Sequence, residues 1–138
     1  MTREQGNATV LSILKRAKQK ILKKQSWVNG NWCLDTQGKP VNATSGAATK
    51  FHVLGAVCAA THELNHNEKF RKSAISVLEH NIPSLGNVQG RDAVIPSFDF
   101  FEQNASHSSI LKLFDDSIQW MDILTDGEAW LPIGYREM

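Results

Sequence analysis

Cysteine is scarce in this sequence: Cys33 and Cys58 are the only two among 138 residues. Two thiols cannot build a cysteine-only zinc site, and in a reducing compartment they are expected as thiols, not as a disulfide. Long apolar runs are lacking too. The longest, Val53 to Ala60, falls far short of the roughly 20 residues of a membrane-spanning helix, so no transmembrane segment is expected. The start, MTREQGNATV, has no basic opening, apolar middle or small-residue cleavage site of a secretory signal, which points to the cytoplasm. The triplets at Asn7, Asn42 and Asn104 are accordingly read as turn and cap chemistry instead of glycosylation sites. There is no glycine-rich phosphate loop, nucleophile elbow or dinucleotide fingerprint, which leaves nucleotide-dependent catalysis without sequence support. Internal repeats and low-complexity tracts are absent as well.

What remains is the composition of a folding chain, 41% apolar and 21% charged, close to the globular average. Its length suits one hydrophobic core. A single domain over 1–138 is expected, with a flexible lead-in at 1–8, a core at 9–121 and a C-terminal strap at 122–138. The net charge of +1 conceals an uneven distribution. Residues 1–40 hold eight lysines and arginines against Glu4 and Asp35, while the remainder holds seven against twelve acids. The chain is a charge dipole, basic first and acidic after.

Apolar spacing gives four helices. The first spans about Thr9–Lys24, with Val10, Ile13, Leu14, Ala17 and Ile21 on one side and Asn7 or Thr9 as N-cap. Its cations lie in the C-terminal half, where they oppose the helix dipole. SWVNGNWCLDTQGKPV follows, with glycine turns between aromatic and apolar residues, and predicts a short hairpin or meander. NATSGAAT reads as a polar connection. A second helix is expected from Ala47 or Lys50 to His66, with Leu54, Val57, Cys58, Thr61 and Leu64 inward. A third runs from an Asn67 cap to about His80, burying Phe70, Ala74, Val77 and Leu78, and Pro83 marks its end. The fourth, Ser106–Met121, buries Ile110, Leu111, Phe114, Ile118 and Met121. The fold class is α+β, mainly α, with about four helices around one core and a short β element after the first.

Several segments together carry a resemblance. A basic amphipathic helix is followed by Trp27-Val-Asn-Gly30, Asp35 and Gly38-Lys-Pro-Val41. Then come Phe51-His-Val-Leu-Gly55-Ala56 and Ile95-Pro-Ser-Phe98-Asp99 ahead of the last helix. This order resembles the uncharacterised bacterial and phage family known as domain of unknown function 6197, over roughly Thr9–Trp120. His52 stands where the family pattern usually has cysteine, and Phe98-Asp99 where it has Trp-Asn. The resemblance implies one domain and supplies no mechanism, because the family has no established activity.

The sharpest chemical motif is His62-Glu63-Leu64-Asn65-His66. On a continuous helix the two histidines share a face and can ligate zinc, while Glu63 serves as base for a metal-bound water. A third ligand would come from Glu79, His80 or His107. Cys58, His62 and His66 also form an i, i+4, i+8 row. Against this, the helix is expected to end near His66 and Glu63 points away from the core stripe, as in an ordinary polar rim. Cys33, near Trp32 and the basic helix, is a second chemical candidate, since a nucleophilic thiol needs a nearby base and a partly exposed, electropositive setting. Cys58 reads as a small core residue. Lys15, Arg16, Lys18, Lys20, Lys23 and Lys24, with Trp27 and Trp32 behind them, compose a third candidate. They suit phosphate neutralisation and base stacking, or docking on an acidic surface such as that of a second copy. In one molecule the two poles can equally face each other. Asp35 and Asp99 read as turn residues, and Trp27 and Trp32 as core.

These residues favour a small cytoplasmic accessory protein acting through protein or ligand binding over an enzyme. The alternatives are a zinc-dependent hydrolase on the HELNH motif and nucleic-acid binding through the first helix. No cofactor is expected apart from zinc in the hydrolase reading, and no membrane association.

Overall fold

The computed structural model describes residues 3–28, 33–82 and 105–126. Four α-helices lie among them: α1 (Arg3–Lys20), α2 (Val53–Glu63), α3 (Glu68–His80) and α4 (His107–Asp126). A 3₁₀ turn, Lys24–Ser26, leaves α1, and the antiparallel pair β1 (Cys33–Leu34) and β2 (Pro40–Val41) follows, with Cys33 opposite Val41. The α+β, mainly helical class expected from the sequence is therefore observed. None of the helices among the described residues is long and apolar enough to cross a membrane.

Helix α1 starts at Arg3, well before the expected Thr9, so residues 3–8 are helical and not a flexible lead-in. The apolar stripe explains why. Extended backwards from Ile21 through Ala17, Leu14, Ile13 and Val10, it reaches Asn7 and Gly6, both buried. Asn7 is consequently no cap; both its amide atoms are buried with no hydrogen-bond partner among the described residues. Thr9 and Ser12 turn their hydroxyls back to the carbonyls of Gln5 and Ala8. At the other end the helix stops at Lys20, short of the expected Lys24.

Helix α2 is shorter than expected because Lys50 and Phe51 are committed to bridges with Leu34 and Trp27. Its surroundings also differ. Val57 and Thr61 are buried as expected, but Val53, Ala56, Ala59 and Ala60 accompany them, while Leu54, Cys58 and Leu64 are only half-buried. Small residues cover most of the α2 circumference, and this lets α1 and α3 pack closely on it from two sides. Helix α3 matches expectation, including the Asn67 cap, whose Oδ1 accepts from the Lys69 N–H at 2.9 Å. On α4, Ile110, Phe114 and Met121 are buried, joined by Leu113 and Ser117, whereas Leu111 and Ile118 sit at the margin. Helices α1 and α4 run antiparallel: His107 at the start of α4 meets Ile21 at the end of α1. Residues 122–126, expected in the strap, continue α4; Trp32, Asp99, Trp130, the Ile95–Asp99 segment and the rest of the strap, 127–138, lie outside the described residues.

Candidate functional site

The six cations of α1 and its exit do not form a free basic face. Arg16 and Lys20, one turn apart, reach across to α2 and share one carboxylate: Arg16 Nε lies 2.9 Å from Glu63 Oε1, and Lys20 Nζ bonds Glu63 Oε2. Lys18 bonds Asp115 of α4. The Lys20 ammonium also sits 5.1 Å from the centre of the Phe51 ring. The basic and acidic poles thus meet within one molecule at these points. Lys15, Lys23 and Lys24 enter no ion pair among the described residues. Lys15 and Lys18 flank an open groove of about 400 Å³ between α1 and α4, floored by Leu22 and Ile118.

The HELNH segment is a helix corner. Glu63 is the last residue of α2 and Leu64 its C-cap. Asn65 takes the left-handed conformation, with φ 61°. Its N–H donates to His62 O at 3.1 Å, and the His66 N–H donates to Thr61 O at 3.0 Å. This is the Schellman closure, with asparagine in the position glycine usually takes. The reversal breaks the i, i+4 relation, so His62 and His66 do not share a helical face. His66 instead packs edge-on against Phe70, at 5.8 Å between ring centres.

The expected third ligands lie elsewhere. Glu79 and His80 end α3, roughly 18 Å along that helix from the corner at 1.5 Å per residue, and His80 stacks on Trp120 at 4.7 Å. His107 Nε2 lies 2.7 Å from the Ile21 carbonyl oxygen, with its ring 5.6 Å from Trp27. Among the described residues no three His, Cys, Asp or Glu side chains are grouped to hold a metal ion.

Glu63 is held as an anion. Partial burial pushes its carboxyl up, but the hydrogen bonds from Lys20 and Arg16, with their charges, outweigh that and leave it below the ordinary carboxylate range. A depressed native value means that the stabilisation is fully present above the ordinary range and is lost as pH falls from there through the lowered native value. Glu63→Gln should therefore flatten the acid limb of a stability-versus-pH curve measured by urea unfolding. Its side chain is 36% exposed, so solvent screening limits the loss at neutral pH to about 1 kcal/mol or less.

Beside this ion-pair cluster lies a cleft of about 290 Å³, lined by Lys20, Thr44, Ser45, Phe51, His62 and Glu63 among others. Its outer wall is the 42–48 loop, a run of small residues that carries the short polar side chains of Asn42, Thr44 and Ser45. Asn42 Oδ1 accepts from the backbone N–H and the hydroxyl of Thr44, at 3.2 and 3.1 Å, and Ser45 Oγ accepts from the Ala47 N–H at 3.1 Å. These turns fold the loop towards the last turn of α2. The cleft gathers Lys20, His62 and Glu63 from the sequence-derived candidates and leaves His66, Glu79 and His80 outside its lining. Thr44 and Ser45 were legible only as turn formers, through the NATS run.

The profile of the Family of unknown function (DUF6197) matches residues 5–119. The chain belongs to this family. No curated protein and no solved structure matches it. The DUF6197 match runs from the first turn of α1 to about two thirds of the way along α4, taking in both strands, the cleft and the helix corner.

A second juxtaposition in this DUF6197 member was not visible in the sequence. Cys33, 2% exposed on β1, places Sγ 3.7 Å from Nδ1 of His52, the N-cap residue of α2. The two are 19 residues apart. Leu34 fixes the approach: its N–H donates to Lys50 O at 3.0 Å, and its carbonyl accepts from the Thr49 and Lys50 N–H groups at 2.8 and 3.1 Å. Asp35 is a turn residue, as expected; its Oδ1 accepts from Gln37 and Lys39 N–H at 2.8 and 2.9 Å. Gly38, with φ 79°, completes that turn in a conformation that favours glycine.

Proposed function

We propose that this chain is an accessory binding domain, of the bacterial or phage kind its resemblance implies, that takes a small anionic ligand in the cleft between α1, the 42–48 loop and the end of α2. The observation that carries this reading is the cleft itself, where Lys20 and His62 stand beneath the hydroxyl-bearing loop at Thr44 and Ser45. Arg16 and Lys20 face one carboxylate, Glu63, so the cluster retains an uncompensated positive charge. Pockets of this kind fix a ligand with a few placed polar groups over an apolar floor, here Phe51. A cytoplasmic setting suits the two thiols, neither of which is in a disulfide.

The zinc-hydrolase reading has less support, because Glu63 is engaged by two cations and His66 lies past the helix end. Nucleic-acid binding through α1 is weakened in the same way by the internal pairing of Arg16, Lys18 and Lys20.

Inorganic phosphate and acetate serve as probes of the two commonest oxyanion chemistries. Titrated separately into the full chain at low salt, at least one should cause saturable amide shifts over residues 43–48 and at His62 in ¹H–¹⁵N spectra. Lys20→Ala should weaken binding about tenfold or more, in keeping with about 1.5–3 kcal/mol for a charge-assisted hydrogen bond. Absence of saturable shifts at the cleft for both probes, or equal binding by a folded Lys20→Ala, would overturn the reading.

A further inference from the structure

Cys33 belongs to the buried hydrophobic core, but its sulfur does not face apolar atoms alone. Its sulfur faces an imidazole nitrogen at 3.7 Å, whereas a structural buried cysteine sits among apolar atoms. It also lies against the first turn of α2. A methyl group built on Gly55 would overlap Cys33 Sγ and would sit 2.9 and 3.0 Å from Cε1 and Nδ1 of His52. Glycine at position 55 thus lets thiol, imidazole and helix N-terminus converge. His52 does not cap α2 with its side chain. Cys33 Sγ lies beside the first turn of α2, the end of a helix at which the dipole favours negative charge. His52 is half-buried while Cys33 is almost fully covered. The imidazole can thus exchange protons with solvent, but only a small reagent can reach the sulfur.

We propose that Cys33 is a His52-assisted thiol that a small hydroperoxide oxidises to a sulfenic acid, making this corner of the fold a redox modification site. The thiol proton passes to His52 Nδ1, and the thiolate attacks the terminal peroxide oxygen. The S–O bond forms as the O–O bond breaks, so sulfur is oxidised by two electrons and the peroxide is reduced. The departing hydroxide or alkoxide takes the proton back from the imidazolium and leaves as water or alcohol. The sulfenic acid is the reversible step of the thiol oxidation ladder. This site is separate from the anion cleft, whose lining includes neither Cys33 nor His52.

Cys58, half-buried on α2, provides an internal comparison. The full chain is exposed to hydrogen peroxide for varied times, quenched into denaturant containing dimedone, and mapped by peptide mass spectrometry. Cys33 should be trapped about tenfold or more faster than Cys58, and its rate should fall about tenfold or more in His52→Ala, in keeping with general acid–base assistance. His52→Asn keeps a good helix N-cap and provides a folded variant if the alanine form is unstable. Oxidation of Cys33 no faster than Cys58 in the parent protein overturns the proposal. So does rapid oxidation of Cys33 that is unchanged in folded His52→Asn.

Discussion

Replacing Phe114 by alanine should lower the unfolding free energy by about 3–5 kcal/mol. Among the described residues Phe114 is the largest fully buried side chain, on the face of α4 that also buries Ile110, Leu113, Ser117 and Met121. That face meets α1, which packs on α2, α3 and α4 in turn. Truncation removes the aromatic's transfer free energy and leaves a void that α1 and α3, the helices on which α4 packs, cannot fully move to fill. Native domains retain only about 5–15 kcal/mol in total, so the variant should stand near the edge of unfolding. Urea titration should show a much lower midpoint with an unchanged slope. Leu111→Ala, one turn before Phe114 but half-buried, should cost distinctly less. Equal losses for the two would mean that α4 packs through a different face.

How far the fold was legible follows from where periodicity operates alone. Helices α3 and α4 carry clear stripes and start where the spacing places them, although α4 runs on past the expected Met121 to Asp126; Asn67 was readable as a cap because its side chain acts on a residue two positions away. The start of α1 was obscured by Gly6 and Asn7, poor helix formers that read as a boundary although packing against the core holds them in helix. Helix α2 was overextended at both ends for different reasons. Lys50 and Phe51 bond to residues far back in the chain, and no local pattern reports that. At the other end, His62 to His66 has the spacing of a helical metal motif, and only the left-handed Asn65 shows it to be a corner. The asparagines at 65 and 67 hinted at this. The cleft was half-visible: Lys20, His62 and Glu63 stood out by charge and type, but their meeting with Thr44 and Ser45 depends on tertiary folding. Cys33 and His52 meet for the same kind of reason, through the bridges around Leu34.

Gly55→Val should destabilise the protein by about 3 kcal/mol, at the upper end of the usual overpacking range, although valine gains a few tenths of a kcal/mol over glycine in helix propensity. The two effects compete, and geometry decides between them. On an open helix face the substitution would be mildly favourable. At Gly55 the first added carbon already overlaps Cys33 Sγ and crowds the His52 ring, and valine adds two methyl groups to that carbon. The neighbours have little room to yield: Cys33 is paired with Val41 in the hairpin and almost fully buried, and His52 is held at the start of α2. Because most of the penalty arises from this overlap, Cys33→Ala should relieve part of it. A double-mutant cycle by urea unfolding should give a favourable coupling of about 0.5–3 kcal/mol between positions 33 and 55, the range for residues in contact. Strict additivity would mean that the sulfur does not rest on this turn, and the proximity that orients thiol and imidazole would be lost with it.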